Sequence, residues 1–182
     1  ASGPRGRPQA SRGGAVIFLT VGTQLPFDRL VRGVDAWCAA RGTGGEVFGQ
    51  IGVLGRDNYR PTHFDFAQTL PPEAFDDRFA AADAIVAHAG MGSIIGALNA
   101  GKPIAILPRR ADLREQRNDH QLATAARFAD RPGLFAAMSE DALPELLDRL
   151  HAAPAADTPL IPPFAEDSLI AALREFIHER GV

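Results

Sequence analysis

The sequence has little of what redox, disulfide or metal chemistry requires. Its 182 residues include one cysteine, one tryptophan and one tyrosine. Cys38 has no second thiol with which to form a disulfide or a zinc cluster, which fits a reducing compartment. No two aspartates stand two positions apart, so the Asp-x-Asp pattern of a metal clamp is missing, and the adjacent Asp76 and Asp77 do not replace it. We therefore expect chemistry without a metal or a cofactor.

The sequence also lacks a strong charge imbalance and any long apolar run. Lysine and arginine number 19 against 22 acidic residues, a formal net charge of −3, so nothing draws the chain electrostatically to nucleic acid. No apolar run reaches the roughly 18 residues that a membrane-spanning helix needs, and no signal-peptide pattern opens the chain. We expect a cytoplasmic protein that binds no nucleic acid and does not cross a membrane by itself.

What is present is the composition of one globular domain, with 46% hydrophobic and 23% charged residues. Residues 1–14, rich in Gly, Pro, Ser and Arg, are interpreted as a flexible leader. Residues 15–152 form the predicted domain and residues 153–166 a Pro-rich linker. Residues 167–182 are predicted to form an amphipathic helix with the apolar stripe Leu169, Leu173, Phe176 and Ile177.

Short apolar runs alternate with helical patterns along the predicted domain. The predicted strands cover residues 16–21, 46–51, 64–69, 84–87, 103–107 and 133–137. The predicted helices cover residues 28–42, 72–82, 93–100, 119–128 and 139–151. Because parallel strands need crossover connections, this alternation predicts an α/β fold, a single Rossmann-like domain with a parallel sheet and helices on both faces.

Ligands of such sheets bind at the carboxyl ends of the strands, which points to the loops 22–26, 88–93 and 108–121. In the second loop, Gly90 and Gly92 let backbone N–H groups approach a ligand. Ser93 is predicted to begin a helix whose positive end suits a diphosphate, and His88 adds a donor. The alternative is that the two glycines only permit a tight turn and that His88 is an ordinary polar residue.

Four motifs occur in order along this edge of the predicted sheet. They are Thr20-Val21-Gly22-Thr23-Gln24-Leu25-Pro26-Phe27-Asp28, His88-Ala89-Gly90-Met91-Gly92-Ser93, Gly101-Lys102-Pro103 and Asp119-His120-Gln121. Together they resemble the donor-site signature of glycosyltransferase family 28 C-terminal domains. They are most similar to exopolysaccharide-type subunits resembling the catalytic subunit of the dolichol-linked UDP-N-acetylglucosamine transferase. The resemblance covers residue 16 to about residue 128.

The resemblance implies the C-terminal half of a GT-B glycosyltransferase. Such an enzyme would transfer a hexosyl group from a UDP-sugar to a lipid-linked glycan in bacterial polysaccharide synthesis, without a metal ion. The UDP-sugar is then a substrate, and no cofactor is implied. The diphosphate would bind at His88, Gly90, Met91, Gly92 and Ser93, the donor sugar at Gln121 and His120, and Gly22, Thr23 and Gln24 would line the same cleft.

Two gaps in the pattern suggest that a second polypeptide completes the site. Related enzymes often grip the ribose hydroxyls with a Glu where this chain has Gly96, so ribose recognition is left to the backbone, to Asn99 or to a partner. No acidic residue or histidine is an obvious general base. We expect a membrane-anchored partner of the N-terminal glycosyltransferase type, which would hold the chain at the inner face of the cell membrane.

Three further questions stay open at this point. A non-catalytic nucleotide-sugar-binding regulatory subunit is the main alternative, and a dinucleotide-dependent reductase lacks support because Gly22-Thr23-Gln24 replaces Gly-x-Gly-x-x-Gly. The arginines of the third loop either face solvent or meet an anionic donor such as a glucuronic acid; they are Arg109, Arg110, Arg114 and Arg117. Donors carrying galactose, glucose or N-acetylglucosamine remain open. Trp37, Phe75 and Phe79 are interpreted as core residues.

Overall fold

A computed structural model describes residues 15–23 and 25–152, which form six strands and five α-helices. The strands are β1 (Ile17–Thr20), β2 (Val47–Gln50), β3 (Asp65–Ala67), β4 (Ala84–His88), β5 (Ile104–Leu107) and β6 (Leu134–Ala136). The helices are α1 (Asp28–Arg41), α2 (Pro72–Ala81), α3 (Met91–Asn99), α4 (His120–Phe128) and α5 (Leu143–Ala152). The predicted leader, linker and C-terminal helix lie outside the described residues.

The six strands form one parallel sheet in the order β3-β2-β1-β4-β5-β6. The α/β prediction is confirmed. Consecutive strands run outward from β1 in one direction and then from β4 in the other, so the chain reverses its winding between β1 and β4. In this register Thr20 lies between Gln50 and Ala87. A crevice at the carboxyl ends of β1 and β4 is the place where sheets of this kind bind ligands.

Each face of the sheet is covered by its own apolar layer. In β1, Ile17 and Leu19 pack towards α1 and α5, while Phe18 packs with residues of α2, α3 and α4 on the opposite face. All four β1 side chains are buried, which explains the continuous apolar sequence of this strand. Trp37 of α1 is buried as predicted, and its indole N–H donates to Asp148 of α5 at 2.8 Å.

Two helix boundaries differ from the sequence prediction. Helix α3 begins at Met91 rather than at Ser93, because the extended Gly90 is its N-cap and Gly92 is accommodated within its first turn. The predicted helix 139–151 divides into a 3-10 turn at Glu140–Ala142 and α5. Pro144 lies at the second position of α5, where an absent N–H costs no helical hydrogen bond.

Candidate functional site

A cavity of about 640 Å³ opens at the carboxyl edge of the sheet, over the crevice between β1 and β4. Its floor is formed by strand ends and the loops that follow β1, β4 and β5. One wall is the side of α2, which faces the first two turns of α3. The lining residues are Thr20, Val21, Gly22, Thr23, Leu25, Gln50, Phe75, Asp76, Phe79, His88, Gly90, Gly92, Ser93, Gly96, Arg109, Gln116, His120 and Gln121.

The N-terminus of α3 supplies backbone donors to this cavity. The Ile94 N–H donates to the Gly90 carbonyl at 3.1 Å, so the preceding N–H groups in the first turn have no intrahelical acceptor. A Cβ built on Gly92 would meet none of the described atoms within 4 Å. The missing side chain therefore leaves the backbone of this turn accessible from the cavity, at the positive end of the helix dipole.

His88, the last residue of β4, is held between two glycines. A Cβ on Gly22 would lie 2.9 Å from His88 Cε1, and a Cβ on Gly90 would lie 2.3 Å from Nε2. Gly22 also has a φ of +81°, a conformation that other residues rarely adopt. The imidazole can therefore occupy this position only because both neighbours lack a side chain.

The His88 imidazole is neutral at physiological pH. Burial lowers its pKa to about 4, and the positive charge of Arg109 contributes in the same direction. The Nδ1 atom is buried and has no hydrogen-bond partner among the described residues. A neutral ring on the cavity floor can donate a hydrogen bond to a ligand or accept one from it.

Arg109 is buried and connects two of the three site loops. Its guanidinium donates to the carbonyls of Val21 at 2.9 Å, Leu25 at 2.7 Å and Pro26 at 2.8 Å, and it lies 4.5 Å from the ring centroid of Phe27. Three of its five N–H donors are thus used to hold the loop after β1. Arg109 shapes the loop that carries Gly22 and Thr23.

The other arginines of this loop lie away from the cavity. Arg110 pairs with Asp112 at 2.6 Å, and neither Arg114 nor Arg117 is among the lining residues. With Arg109 bound to main-chain carbonyls, this loop gives no support to the hypothesis of an anionic donor sugar.

The start of α4 contributes the predicted pair His120 and Gln121. Gln121 is buried, and its side-chain oxygen accepts the backbone N–H of Arg109 at 3.0 Å. Nothing among the described residues accepts from its amide nitrogen, which leaves two N–H donors. His120 is exposed, and its Nδ1 contacts the side-chain oxygen of Asn118. Both residues line the cavity, and Gln121 also fixes the end of β5.

Eight of the ten predicted site residues line one cavity: Gly22, Thr23, His88, Gly90, Gly92, Ser93, His120 and Gln121. Met91 is the first residue of α3, and its side chain is 43% exposed outside the lining. Gln24 lies outside the described residues. Whether the eight residues bind a nucleotide sugar remains a prediction, but three separated segments of the sequence do converge on one place.

Sequence reasoning missed the wall formed by α2. Phe75 and Phe79 were predicted to be core residues, but they are only half-buried. Their rings stack at a centroid distance of 6.0 Å and line the cavity with Asp76. The i, i+4 spacing of the two phenylalanines indicated a shared helix face but not that this face borders both the core and the cavity. Asn99 does not line the cavity.

Two features are absent from the described part of the chain. No group of three or more His, Cys, Asp and Glu side chains within it is placed to hold a metal ion. None of its helices is both long and apolar enough to cross a membrane.

The order of the strands, the cavity at the reversal point and the accessible helix N-terminus define a Rossmann-like nucleotide-binding architecture. The family model for the glycosyltransferase family 28 C-terminal domain matches residues 16–159. The chain belongs to this family, and its domain is the C-terminal half of the GT-B fold.

Solved structures support the same fold. The chain is similar to MurG of Acinetobacter baumannii, with 20% identity, a TM-score of 0.58, and 94% of this chain and 51% of that chain covered. It is also similar to the calicheamicin glycosyltransferase CalG4, with 19% identity and a TM-score of 0.54, over 95% of this chain and 38% of that chain. The glycosyltransferase VinC in complex with dTDP matches with 20% identity and a TM-score of 0.50, over 98% of this chain and 46% of that chain. The chain thus spans about half the length of these structures or less. No curated protein matches it.

Proposed function

We propose that this chain is the donor-binding subunit of a UDP-sugar-dependent hexosyltransferase of the metal-independent GT-B type. The observation that carries the proposal is the accessible N-terminus of α3, bordered by Gly90 and Gly92 on the cavity floor. Backbone N–H groups and a helix dipole are together a site for an anion such as a diphosphate. Membership of the family directs this general chemistry towards a nucleotide-sugar donor.

The same groups would assist the departure of the diphosphate. Negative charge grows on the leaving group as the sugar–oxygen bond breaks, and fixed donors pointing at that charge lower the barrier. The backbone N–H groups of α3 need no reorganisation to do this. His88, being neutral, would hydrogen-bond to the phosphate oxygens or sugar hydroxyls and could do so over a wide pH range.

The second half of the reaction requires a group that accepts the proton of the acceptor hydroxyl. A histidine with a pKa of about 4 is a weak base near neutral pH, and Glu115 is tied to Arg29 outside this cavity. We propose that a membrane-anchored subunit of the N-terminal glycosyltransferase type supplies the base. It would also bring the lipid-linked glycan acceptor and hold this chain at the inner face of the cell membrane.

The distribution of exposed apolar side chains supports a partner at the cavity edge. The large apolar side chains exposed within the described residues are Leu25, Val53, Met91, Ile95, Leu113 and Met138. Five of them follow the carboxyl ends of β1, β2, β4, β5 and β6, and Ile95 lies one turn into α3. Large apolar residues concentrated on one edge are typical of an interaction surface.

Two measurements test the proposal. Calorimetry should show that the purified chain binds UDP and UDP-sugars in competition with each other, while NAD does not compete. Transfer to a lipid-linked acceptor should require coexpression with the partner. Binding of NAD without binding of UDP would refute the donor assignment.

A double variant tests the proposed interface. Leu113→Asp with Met138→Asp should weaken the complex and leave UDP binding unchanged.

A base that comes from outside this chain is also compatible with one alternative. A non-catalytic nucleotide-sugar-binding subunit would bind donor and alter the activity of a partner that transfers sugar without it. If the partner transfers sugar without this chain and the chain only changes that rate, or if His88→Ala and Gly92→Trp in this chain leave the rate of the complex unchanged, the regulatory function replaces the catalytic one.

A further inference from the structure

The cavity contains a single carboxylate among its described lining residues, that of Asp76. Asp76 belongs to α2, on the wall opposite the first turns of α3. No described side chain donates a hydrogen bond or forms an ion pair with it. Apart from histidines, Arg109 is the other ionisable residue in the described lining, and its guanidinium donates to carbonyls of the loop after β1 and not to Asp76. Asp76 thus offers unused acceptor oxygens to whatever occupies the cavity.

Two of the three glutamine side-chain oxygens in the described lining already have donors, and that of Gln116 is the exception. The Gln50 oxygen accepts the backbone N–H of Leu70 at 3.0 Å, and the Gln121 oxygen accepts that of Arg109 at 3.0 Å. A ligand hydroxyl on the α2 side of the cavity therefore finds its strongest available acceptor in Asp76, because bonds to an ionised acceptor are shorter and stronger than bonds to a neutral one.

The position of Asp76 relative to α3 indicates which part of a ligand it meets. Gly96 lies on the cavity side of α3, about one turn beyond Gly92, and a Cβ there would be 3.6 Å from the Cζ of Phe79. Phe79 in turn follows Asp76 by about one turn on α2. Because α2 and α3 both run away from the carboxyl edge of the parallel sheet, Asp76 lies on the open side of the contact between Phe79 and Gly96. It is thus level with the first turn of α3, beside the place where the group next to the phosphates of a nucleotide would lie.

The geometry points to Asp76 as the residue that recognises the ribose of the donor nucleotide. Its carboxylate would accept hydrogen bonds from the 2′- and 3′-hydroxyl groups, the same chemistry by which acidic residues grip ribose in other Rossmann-like folds. This inference rests on the proposed function, and it adds that the chain selects ribonucleotides over 2′-deoxyribonucleotides.

Calorimetry with four protein–ligand pairs tests the assignment. The ligands are UDP and 2′-deoxy-UDP, and the proteins are the wild-type chain and Asp76→Ala. The wild-type chain should bind UDP about tenfold more tightly, the usual value of one hydrogen bond to a charged group. Asp76→Ala should bind both ligands with the same affinity, which should be lower than that of the wild-type chain for 2′-deoxy-UDP because the bond to the 3′-hydroxyl is lost as well. Asp77→Ala, the exposed neighbour outside the cavity, should behave as wild type.

Each outcome bears on one claim. Equal affinity of the wild-type chain for the two ligands would overturn the inference, and so would a preference for UDP that persists in Asp76→Ala. In either case UDP still binds, so the proposed function stands. Failure of the wild-type chain to bind UDP at all would overturn the proposed function and this inference with it. Circular dichroism of each variant confirms that the exposed helix position tolerates alanine.

Discussion

Two cavities of nearly equal volume border the same edge of the sheet, and they differ in the state of their polar groups. The first cavity, at the N-terminus of α3, measures about 640 Å³, and a second cavity of about 650 Å³ lies between α1 and the loop after β5. In the second cavity Arg29 forms ion pairs with Glu115 at 2.8 Å and Glu140 at 3.1 Å. In the first, backbone N–H groups and Asp76 lack partners.

The difference shows that volume alone does not indicate a binding site. Arg29 also donates to the Pro108 carbonyl at 2.7 Å, and Glu115 accepts the N–H of Arg110 at 3.0 Å. The interactions of the second cavity therefore hold the loop after β5 against α1. Donors left without acceptors are available to a ligand, whereas donors already paired contribute to stability. The predictions below test this separation of binding from stability.

The largest effect should come from Gly90→Ala. The new Cβ would lie 2.3 Å from Nε2 of His88, which cannot retreat because Gly22 closes its other side. Overpacking of this kind costs about 1 to 3 kcal/mol of folding stability. Because the displaced imidazole would also intrude on the proposed diphosphate position, we expect UDP affinity measured by calorimetry to fall by about tenfold or more. Gly45→Ala, at an exposed position where a Cβ meets none of the described atoms, is the control. Unchanged UDP binding by Gly90→Ala would contradict the proposed position of the diphosphate.

Arg109→Met should reduce both stability and binding. Three main-chain carbonyls lose their donor, and we expect urea denaturation to show a loss of about 3 kcal/mol. UDP affinity should fall by about tenfold as the loop after β1 loosens. The exposed Arg117→Ala should change stability by less than about 0.5 kcal/mol. If Arg109→Met lowers neither quantity, then the loop after β1 does not depend on this clamp.

The pKa of His88 predicts a pH effect on stability. Its folded-state value of about 4 lies below the ordinary 6.5, so the unfolded chain binds the extra proton between these values. The stability that the neutral imidazole contributes is complete well above pH 6.5 and is lost as the pH falls to about 4. The loss is about 3 kcal/mol over the whole range and about 2 kcal/mol at pH 5. Urea denaturation of wild type and His88→Gln at pH 7.5 and pH 5 should show a smaller pH difference in the variant. Equal pH differences would assign the effect to other groups.

The smallest effects should come from the second cavity. Glu115→Gln breaks a half-buried pair with Arg29 and should cost about 1 kcal/mol. Glu140→Gln removes a half-exposed partner of the same arginine and should cost less than about 0.5 kcal/mol. Neither variant should change UDP affinity by more than about twofold, because neither residue lines the first cavity. A large loss of UDP affinity in both would show that the two cavities act together.

The strands and the three loops could be predicted because their signals are local. Buried strands such as β1 have largely apolar sequences, and glycine, proline or a polar residue follows most strands within two positions. The role of Arg109 could not be predicted in this way, because its carbonyl partners lie more than 80 positions earlier in the chain. The position of Asp76 could not be predicted either. Helix α2 comes to lie beside α3 only when β4, which separates the two helices in the sequence, joins the sheet.

Trp37 gives the molecule an internal optical probe. It is the sole tryptophan of the chain; it is 3% exposed and lies edge-on to His151 at a centroid distance of 5.5 Å. It lines neither cavity. Its fluorescence therefore reports the separation of α1 from α5 on the face of the sheet opposite α3. Unfolding can be followed by emission in the presence of UDP, because the nucleotide would bind without touching the fluorophore.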